Sequence, residues 1–592
     1  MSVLGAEQVT TLCEDVSVVS ATVNMACQYL PLLLGCLLST PLTSCAVVAR
    51  QATVPTVQIK NGTYEGAHHE NYNQDFFLGM PYAQPPVEDL RLRNPQPLNT
   101  TWTEPRNATQ YSLACYGYGG DDWVLGNPVS EDCLTINVVR PAGVDAGAQL
   151  PVGVWIHGGG GFMGSSLDPR YNLSFIVQQS VDMGKPFIGV SLNYRLHAFG
   201  YLFGTAVLEA GIANLGYKDQ RLALHWVQEN IGAFGGDPKK VTIWGESAGA
   251  FSVGVQLLAY GGRDDGLFRS AIQESGAMVS SGPYGNASAW DVYYNNITRA
   301  TNCSGASDTL ACLRTVPVDV LSAVFNSSVT AQVPYWGQQI DGDLIQYSGA
   351  QHLLNGAVVP VPLLHGANFD EGTAFGVPGI NTTDQFIASV MTRGPDNATA
   401  QTIGALYPDI PAIGIPATLV GRPSGLFASL GAQWKRSAAF GGDYLMHAPR
   451  RATSHAWAKN NLTSWSYNFN VRVNGVPPEV GATHFQEVAF VFHNTEGIGY
   501  QNVVAKNPFE GQPETFFQLA DIMSRMWISF IVDTNPNYSN ETSIQWPKYT
   551  LDDQQNLVFD VNATDLVYVQ PDYYRAEGMQ YIIDRLATVF GR

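Results

Sequence analysis

The chain has 592 residues, of which 45% are hydrophobic and 14% charged, enough apolar content to bury a large core. Its 50 acidic residues outnumber 31 basic ones for a formal net charge of −19. With no Lys/Arg run, it carries no footprint for nucleic acid or for an anionic membrane surface.

The first feature along the chain is the apolar stretch from Tyr29 to Leu38, followed by the small residues Ser44, Cys45, Ala46 and Ala49. It is too short to span a bilayer and fits a secretory signal cleaved after about Ala46 or Ala49. Residues 1–46 are therefore expected to be a signal region and 47–592 a single domain, secreted and without a stable membrane anchor. Glu14 and Asp15 stand where a signal usually carries positive charge, so a start at Met25 makes a more ordinary one. Asn-x-Ser/Thr sequons crowd the rest of the chain from Asn61 to Asn562, as expected of an exported glycoprotein.

Four of the eight cysteines lie at or before Cys45 and leave with the signal. The remaining Cys115, Cys133, Cys303 and Cys312 allow three pairings, of which closeness favours Cys115 with Cys133 and Cys303 with Cys312. No Cys/His cluster has metal-ligand spacing, so neither a metal nor another cofactor is expected.

From Leu150 to about Ser275 apolar strands alternate with helical segments. Leu150 to Ile156, Phe187 to Tyr194 and Val241 to Trp244 read as strands, and Asp219 to Ile231 as an amphipathic helix. Strands separated by helices imply an α/β fold with a mostly parallel sheet. Val361 to Leu364 and Trp465 to Val471 read as later strands, and Gln518 to Val532 as a late helix packed on the sheet. Between about Ser280 and Pro360, and again from Gly376 to Gly442, the pattern is irregular. Those stretches are expected to be insertions over the face that carries the chemistry.

That chemistry centres on Gly245-Glu246-Ser247-Ala248-Gly249. A bare Gly-x-Ser-x-Gly is a weak signal, but here a β-rich run precedes it and Ala248 to Tyr260 can continue as a helix. In that strand-turn-helix setting the small glycines permit a sharp turn that lifts the serine hydroxyl above the sheet. Serine is a poor nucleophile at neutral pH and needs a base, which in turn needs an orienting acid, in the chain order Ser, acid, His. His484, in the glycine-led loop Gly481-Ala482-Thr483-His484-Phe485, is the candidate base. Glu371, closely following a strand-like run, is the candidate acid, with neighbouring Asp370 competing for the role. His447, His455 and His493 lie in helical or mixed contexts and read as structural. His157-Gly158-Gly159-Gly160-Gly161-Phe162 supplies a glycine-rich turn whose N–H groups suit an oxyanion, and Ala248 adds another.

These motifs, with Ser130-Glu131-Asp132-Cys133-Leu134, Asn193-Tyr194-Arg195, Phe234-Gly235-Gly236-Asp237-Pro238 and Asp370-Glu371-Gly372, resemble the type B carboxylesterase, lipase and cholinesterase family over nearly the whole chain after the signal. Asp168-Pro169-Arg170-Tyr171-Asn172-Leu173 and Tyr194-Arg195-Leu196 look like its secreted fungal branch. The resemblance implies an α/β-hydrolase fold, with Ser247, Glu371 and His484 as the triad and Glu371, rather than Asp370, as the acid. It implies oxyanion donors from Gly160, Gly161 and Ala248, with Ser275 as support and Glu246 beside the nucleophile. It implies the same two disulfides, and structural ion pairs Arg91 with Glu131 and Arg195 with Asp219. One departure is the glycine run, which has four members where the family usually has three.

The expected activity is two-step acyl transfer to water from a small-molecule or lipid ester. The alternatives are a triacylglycerol lipase of the same family and a noncatalytic cholinesterase-like binding protein. The shorter loop enclosed by Cys115 and Cys133 tilts the expectation toward soluble or short-chain esters.

Overall fold

In the computed structural model, which describes residues 54–120, 126–501, 506–538 and 544–592, the apolar runs assemble into one eleven-stranded sheet. Its strands in chain order are β1 (Ala67–His69), β2 (Gln74–Pro81), β3 (Thr135–Pro141), β4 (Leu150–Ile156), β5 (Ile188–Leu192), β6 (Gly236–Glu246), β7 (Ser270–Glu274), β8 (Leu363–Asn368), β9 (Ser464–Phe469), β10 (Gln555–Phe559) and β11 (Val567–Pro571). They lie side by side as β1-β2-β3-β5-β4-β6-β7-β8-β9-β10-β11. The run from β5 to β10 is parallel, whereas β1, β2 and β3 at one edge and β11 at the other pair antiparallel. The expected signal region lies outside the described residues.

Helices cover both faces, which is why the central strands are buried throughout. The helices used below are α1 (Leu173–Asp182), α2 (Leu215–Asn230), α3 (Ala248–Gly262), α4 (Ala448–Lys459) and α5 (Glu514–Asp533). Side chains alternate across a strand. On β4, Val152, Val154 and Ile156 therefore join the core with α2 and α3, while Trp155 joins that with α1 and α5.

The structure adjusts several expected boundaries. Helix α2 begins at Leu215 rather than Asp219, because Gly216 at its start is a close-approach residue and not a helix breaker. A β carbon there would stand 2.6 Å from the Arg195 carbonyl oxygen. Strand β6 begins at Gly236, with a register shift before Val241 that breaks its periodicity. The two stretches expected to be irregular hold helices, including Ala287–Ala300, Thr309–Thr315 and Thr383–Met391. Thr309–Thr315 and Thr383–Met391 are too short to show much periodicity, whereas Ala287–Ala300 buries Trp290, Tyr294 and Ile297 at helical spacing; all three are also marked by their caps Asn286, Asp308 and Thr382.

Both expected disulfides are present, Cys115–Cys133 and Cys303–Cys312. Arg91 pairs with Glu131 through Nε and Nη2, and Arg195 grips Asp219 at 2.8 and 2.6 Å. A third buried cluster was not anticipated: Asp572, after β11, accepts from Arg450 and Arg451 of α4, from Asn556 and from Tyr549. Two guanidiniums hold this carboxyl well below its usual range against the cost of burial. Asp572→Ala leaves both buried arginines without their counter-ion and is expected to cost about 3–5 kcal/mol, measured by urea unfolding. A loss below about 1 kcal/mol would mean that the arginines find other partners.

Candidate active site

Strand β6 ends at Glu246 and helix α3 starts at Ala248, so Ser247 alone makes the turn between them, with φ 56° and ψ −123°. This sparsely populated backbone conformation is held because Ser247 N–H donates to the Glu274 carbonyl at 2.9 Å. The flanking glycines make the turn possible. A β carbon on Gly249 would stand 2.0 Å from the Ile156 carbonyl oxygen, and one on Gly245 2.5 Å from the same atom.

His484 arrives from the loop after β9, and Glu371 from the turn after β8. His484 Nε2 lies 2.8 Å from Ser247 Oγ, and its Nδ1 lies 2.7 Å from Glu371 Oε2. The other oxygen of Glu371 accepts from Asn368 N–H at 2.9 Å and from Ser275 Oγ at 2.5 Å. Burial opposes ionisation of Glu371, but the His484 charge and these donors outweigh it and hold its carboxyl below the ordinary range. Asp370, the competing acid, points elsewhere: its Oδ2 accepts from Ala482 N–H at 2.8 Å and fastens the histidine loop. Burial pushes Asp370 up to about 7.

Two glutamates, Glu246 and Glu487, join Glu371 around this imidazole, and a third, Glu274, neighbours those two. Glu246 Oε1 lies 3.2 Å from His484 Nε2, on the nucleophile side, without forming a hydrogen bond. Its carboxyl is pushed well up by burial. Glu487 lies 3.0 Å from Ser275 Oγ and also accepts from Asn368 Nδ2. Ser275 has one hydroxyl proton and cannot donate to both carboxyls. The shorter contact, to Glu371, takes it; burial, and then the neighbouring Glu371, push the Glu487 carboxyl up to about 7. Glu274 is also pushed well up by burial and accepts from Trp527 Nε1 of α5 at 2.7 Å.

The glycine run lies across the elbow. A β carbon on Gly158 would stand 2.8 Å from the Glu246 carbonyl and 3.2 Å from Ser247 Cβ, so the first glycine lets β4 approach the turn. Gly159, Gly160 and Gly161 follow with φ of 97°, 65° and 76°. The carbonyls of Gly159 and Gly161 are used by Phe162, Met163 and His197, whereas none of the loop's backbone hydrogen bonds uses the N–H of Gly160 or Gly161. Both glycines line a chamber of about 100 Å³ with Ser247 and Ala248. A larger chamber of about 760 Å³ shares Gly160, Trp336, Phe375 and Leu445 and runs out past Tyr118, Phe325 and Arg393. The expected insertions thus reach the site through Trp336 and Arg393.

Sequence reading missed Glu487, Asn368, Trp336 and Phe375, whose ring lies 4.9 Å from that of His484. Among the described residues no group of three or more His, Cys, Asp or Glu could hold a metal ion.

The profile of the Carboxylesterase family matches residues 53–577. The chain is 33% identical to Lipase 4 of Diutina rugosa over 591 residues, covering 92% of this chain and 98% of that protein. It is also 33% identical to the Secreted triacylglycerol lipase LIP1 of Gibberella zeae, covering 85% and 86% of the two chains. Among solved structures, Aspergillus niger EstA superposes with a TM-score of 0.76 at 27% identity, over 91% of this chain and 99% of that one. A strand-turn-helix elbow on a mostly parallel sheet and similarity over nearly the whole length lead to one conclusion: the chain belongs to the carboxylesterase family, with the α/β-hydrolase fold, and is a carboxylic ester hydrolase.

Proposed function

We propose that this chain is a secreted esterase that works through an acyl-enzyme on Ser247, with His484 as base, Glu371 as the orienting acid, and Gly160, Gly161 and Ala248 as oxyanion donors. The observation that carries the reading is the hydrogen-bonded line from Ser247 Oγ through His484 to Glu371, at 2.8 and 2.7 Å. His484 takes the serine proton as Oγ attacks the ester carbonyl, then gives it to the departing alcohol. Water, activated by the same imidazole, then releases the acid. Secretion is supported by a relative described as secreted and by exposed sequon residues such as Asn99, Asn286, Asn381 and Asn562.

The reading is tested by hydrolysis of p-nitrophenyl esters from acetate to palmitate, beside Ser247→Ala. Serine-dependent turnover peaking at short chains is expected. A long-chain optimum would favour the lipase reading, which the 760 Å³ chamber and the lipase relatives support. Absence of turnover with any ester would overturn the catalytic assignment.

The pH profile offers a separate test. Burial disfavours a charged imidazole, but Glu246, Glu371 and Glu487 outweigh it and raise His484 above its ordinary 6.5. The base acts only when neutral, so activity falls as pH drops through that raised value. The acid limb of kcat/KM is expected above 6.5, and Glu246→Gln should move it down by about one unit. An unmoved limb would mean that Glu246 carries no charge beside the ring.

A further inference from the structure

Two polar side chains in the lining of the 760 Å³ chamber are buried, Thr330 and His197, at 5% and 6% exposure. Thr330 is satisfied, since its Oγ1 donates to the Phe325 carbonyl at 2.6 Å. His197 is not. Its Nδ1 is enclosed without a partner, whereas its Nε2 is open and makes no hydrogen bond to any described residue. Because His197 borders this chamber, the open nitrogen faces it.

The backbone fixes where that ring stands. His197 has φ 51°, in the left-handed region uncommon for a residue with a side chain, and its N–H donates to the Gly161 carbonyl at 2.8 Å. The imidazole is thereby tied to the glycine turn beside Ser247. It packs among rings, 4.0 Å from that of Trp336 and 4.8 Å from that of Tyr118. The hydroxyls of the neighbouring tyrosines are already used: Tyr118 donates to Ser322 Oγ, and Tyr335 to the Gln338 carbonyl. Burial drives the imidazole down to about 3, so it is neutral at any pH at which His484 can act as a base. A neutral imidazole has one N–H and one lone pair, which makes Nε2 a donor or an acceptor according to the tautomer. A hydroxyl satisfies it in either case; an ether or a carbonyl, which only accepts, does not.

A buried polar group without a partner is costly, and a wall of rings favours a flat occupant. We propose that His197 determines specificity in the large chamber: its Nε2 hydrogen-bonds a hydroxyl on an aromatic ring carried by the half of the ester that lies there. The preferred substrates are then esters bearing a phenol on a short linker, on the acid or on the alcohol. The inference rests on the assignment of Ser247 as nucleophile.

Two ester series test it at neutral pH, where a phenol keeps its proton. Methyl 3-phenylpropanoate is compared with its 3-hydroxyphenyl and 4-hydroxyphenyl counterparts, and 2-phenylethyl acetate with its own. Two methylenes separate ring from ester, so the hydroxyl leaves the intrinsic reactivity of the carbonyl alone. In at least one series the wild-type kcat/KM is expected to favour a hydroxyl-bearing ester about tenfold, and the series that responds identifies the half of the ester lying in the chamber. His197→Phe keeps a ring beside Tyr118 and Trp336 but removes both nitrogens, and should bring that ratio toward one. His197→Gln, whose amide retains a hydrogen-bonding end, should keep part of it. A histidine that only packs would affect hydroxylated and plain esters alike in both variants, and an unchanged ratio would overturn the proposal. Ratios near one in both wild-type series would overturn it whether or not either variant folds. Failure of the Ser247 assignment looks different, as hydrolysis of the plain esters that survives Ser247→Ala.

Discussion

Ser247→Ala is expected to lower kcat by about a millionfold while leaving the fold intact. The turn at Ser247 is made by backbone, through its N–H to the Glu274 carbonyl and the close approach at Gly245 and Gly249, and alanine keeps all of these. What alanine removes is the oxygen 2.8 Å from His484 Nε2. The remaining site still holds an ester near the Gly160 and Gly161 amides, so a residual rate above that in water should persist. His484→Ala should cost about as much, and the double variant little more, because a nucleophile without its base and a base without its nucleophile are equally idle. Stopped-flow turnover of p-nitrophenyl acetate, with unfolding midpoints as the control, measures both. A Ser247→Ala enzyme retaining more than about one per cent of kcat would place the nucleophile elsewhere.

The parallel strands were legible to within a few residues because a strand covered on both faces tends to be apolar throughout, as in Leu150 to Ile156, whereas Trp465 to Val471 stands out by alternating Trp465, Tyr467, Phe469 and Val471 with Ser466, Asn468 and Asn470. The residues named for the site also lie together, since each belongs to a motif that marks a turn at a strand end. Glu487 shows where sequence reading stops. It follows His484 by three residues, beside the apolar run Val488–Val491, and a charged side chain there reads as solvent-facing. Its burial becomes visible only when β8 brings Asn368 against it and β7 brings Ser275. The fourth glycine is accounted for by contact: Gly158 must lack a side chain to lie against Glu246 and Ser247, which leaves Gly160 and Gly161 at the chamber.

Glu371→Gln is expected to lower kcat by about ten-thousandfold, through proton position more than lost charge. An amide has one accepting and one donating end. If its oxygen faces His484 Nδ1, its NH₂ meets the Asn368 N–H and Ser275 Oγ, which now lie 2.9 and 2.5 Å from Glu371 Oε1. The serine hydroxyl can rotate away, but the backbone N–H cannot. The reverse orientation relieves that clash and aims NH₂ at Nδ1, which must then be unprotonated. The ring proton moves to Nε2, where it faces Ser247 Oγ and leaves no lone pair to accept the serine proton. Asp370→Asn makes the contrast, since Asp370 fastens the Ala482 N–H rather than the imidazole and should affect the loop's stability more than kcat. Proton NMR of the His484 ring should show the Nδ1 proton of the wild type replaced by an Nε2 proton in Glu371→Gln. A variant keeping a tenth of wild-type kcat and the Nδ1 proton would transfer the orienting role from Glu371 to another of the surrounding carboxyls.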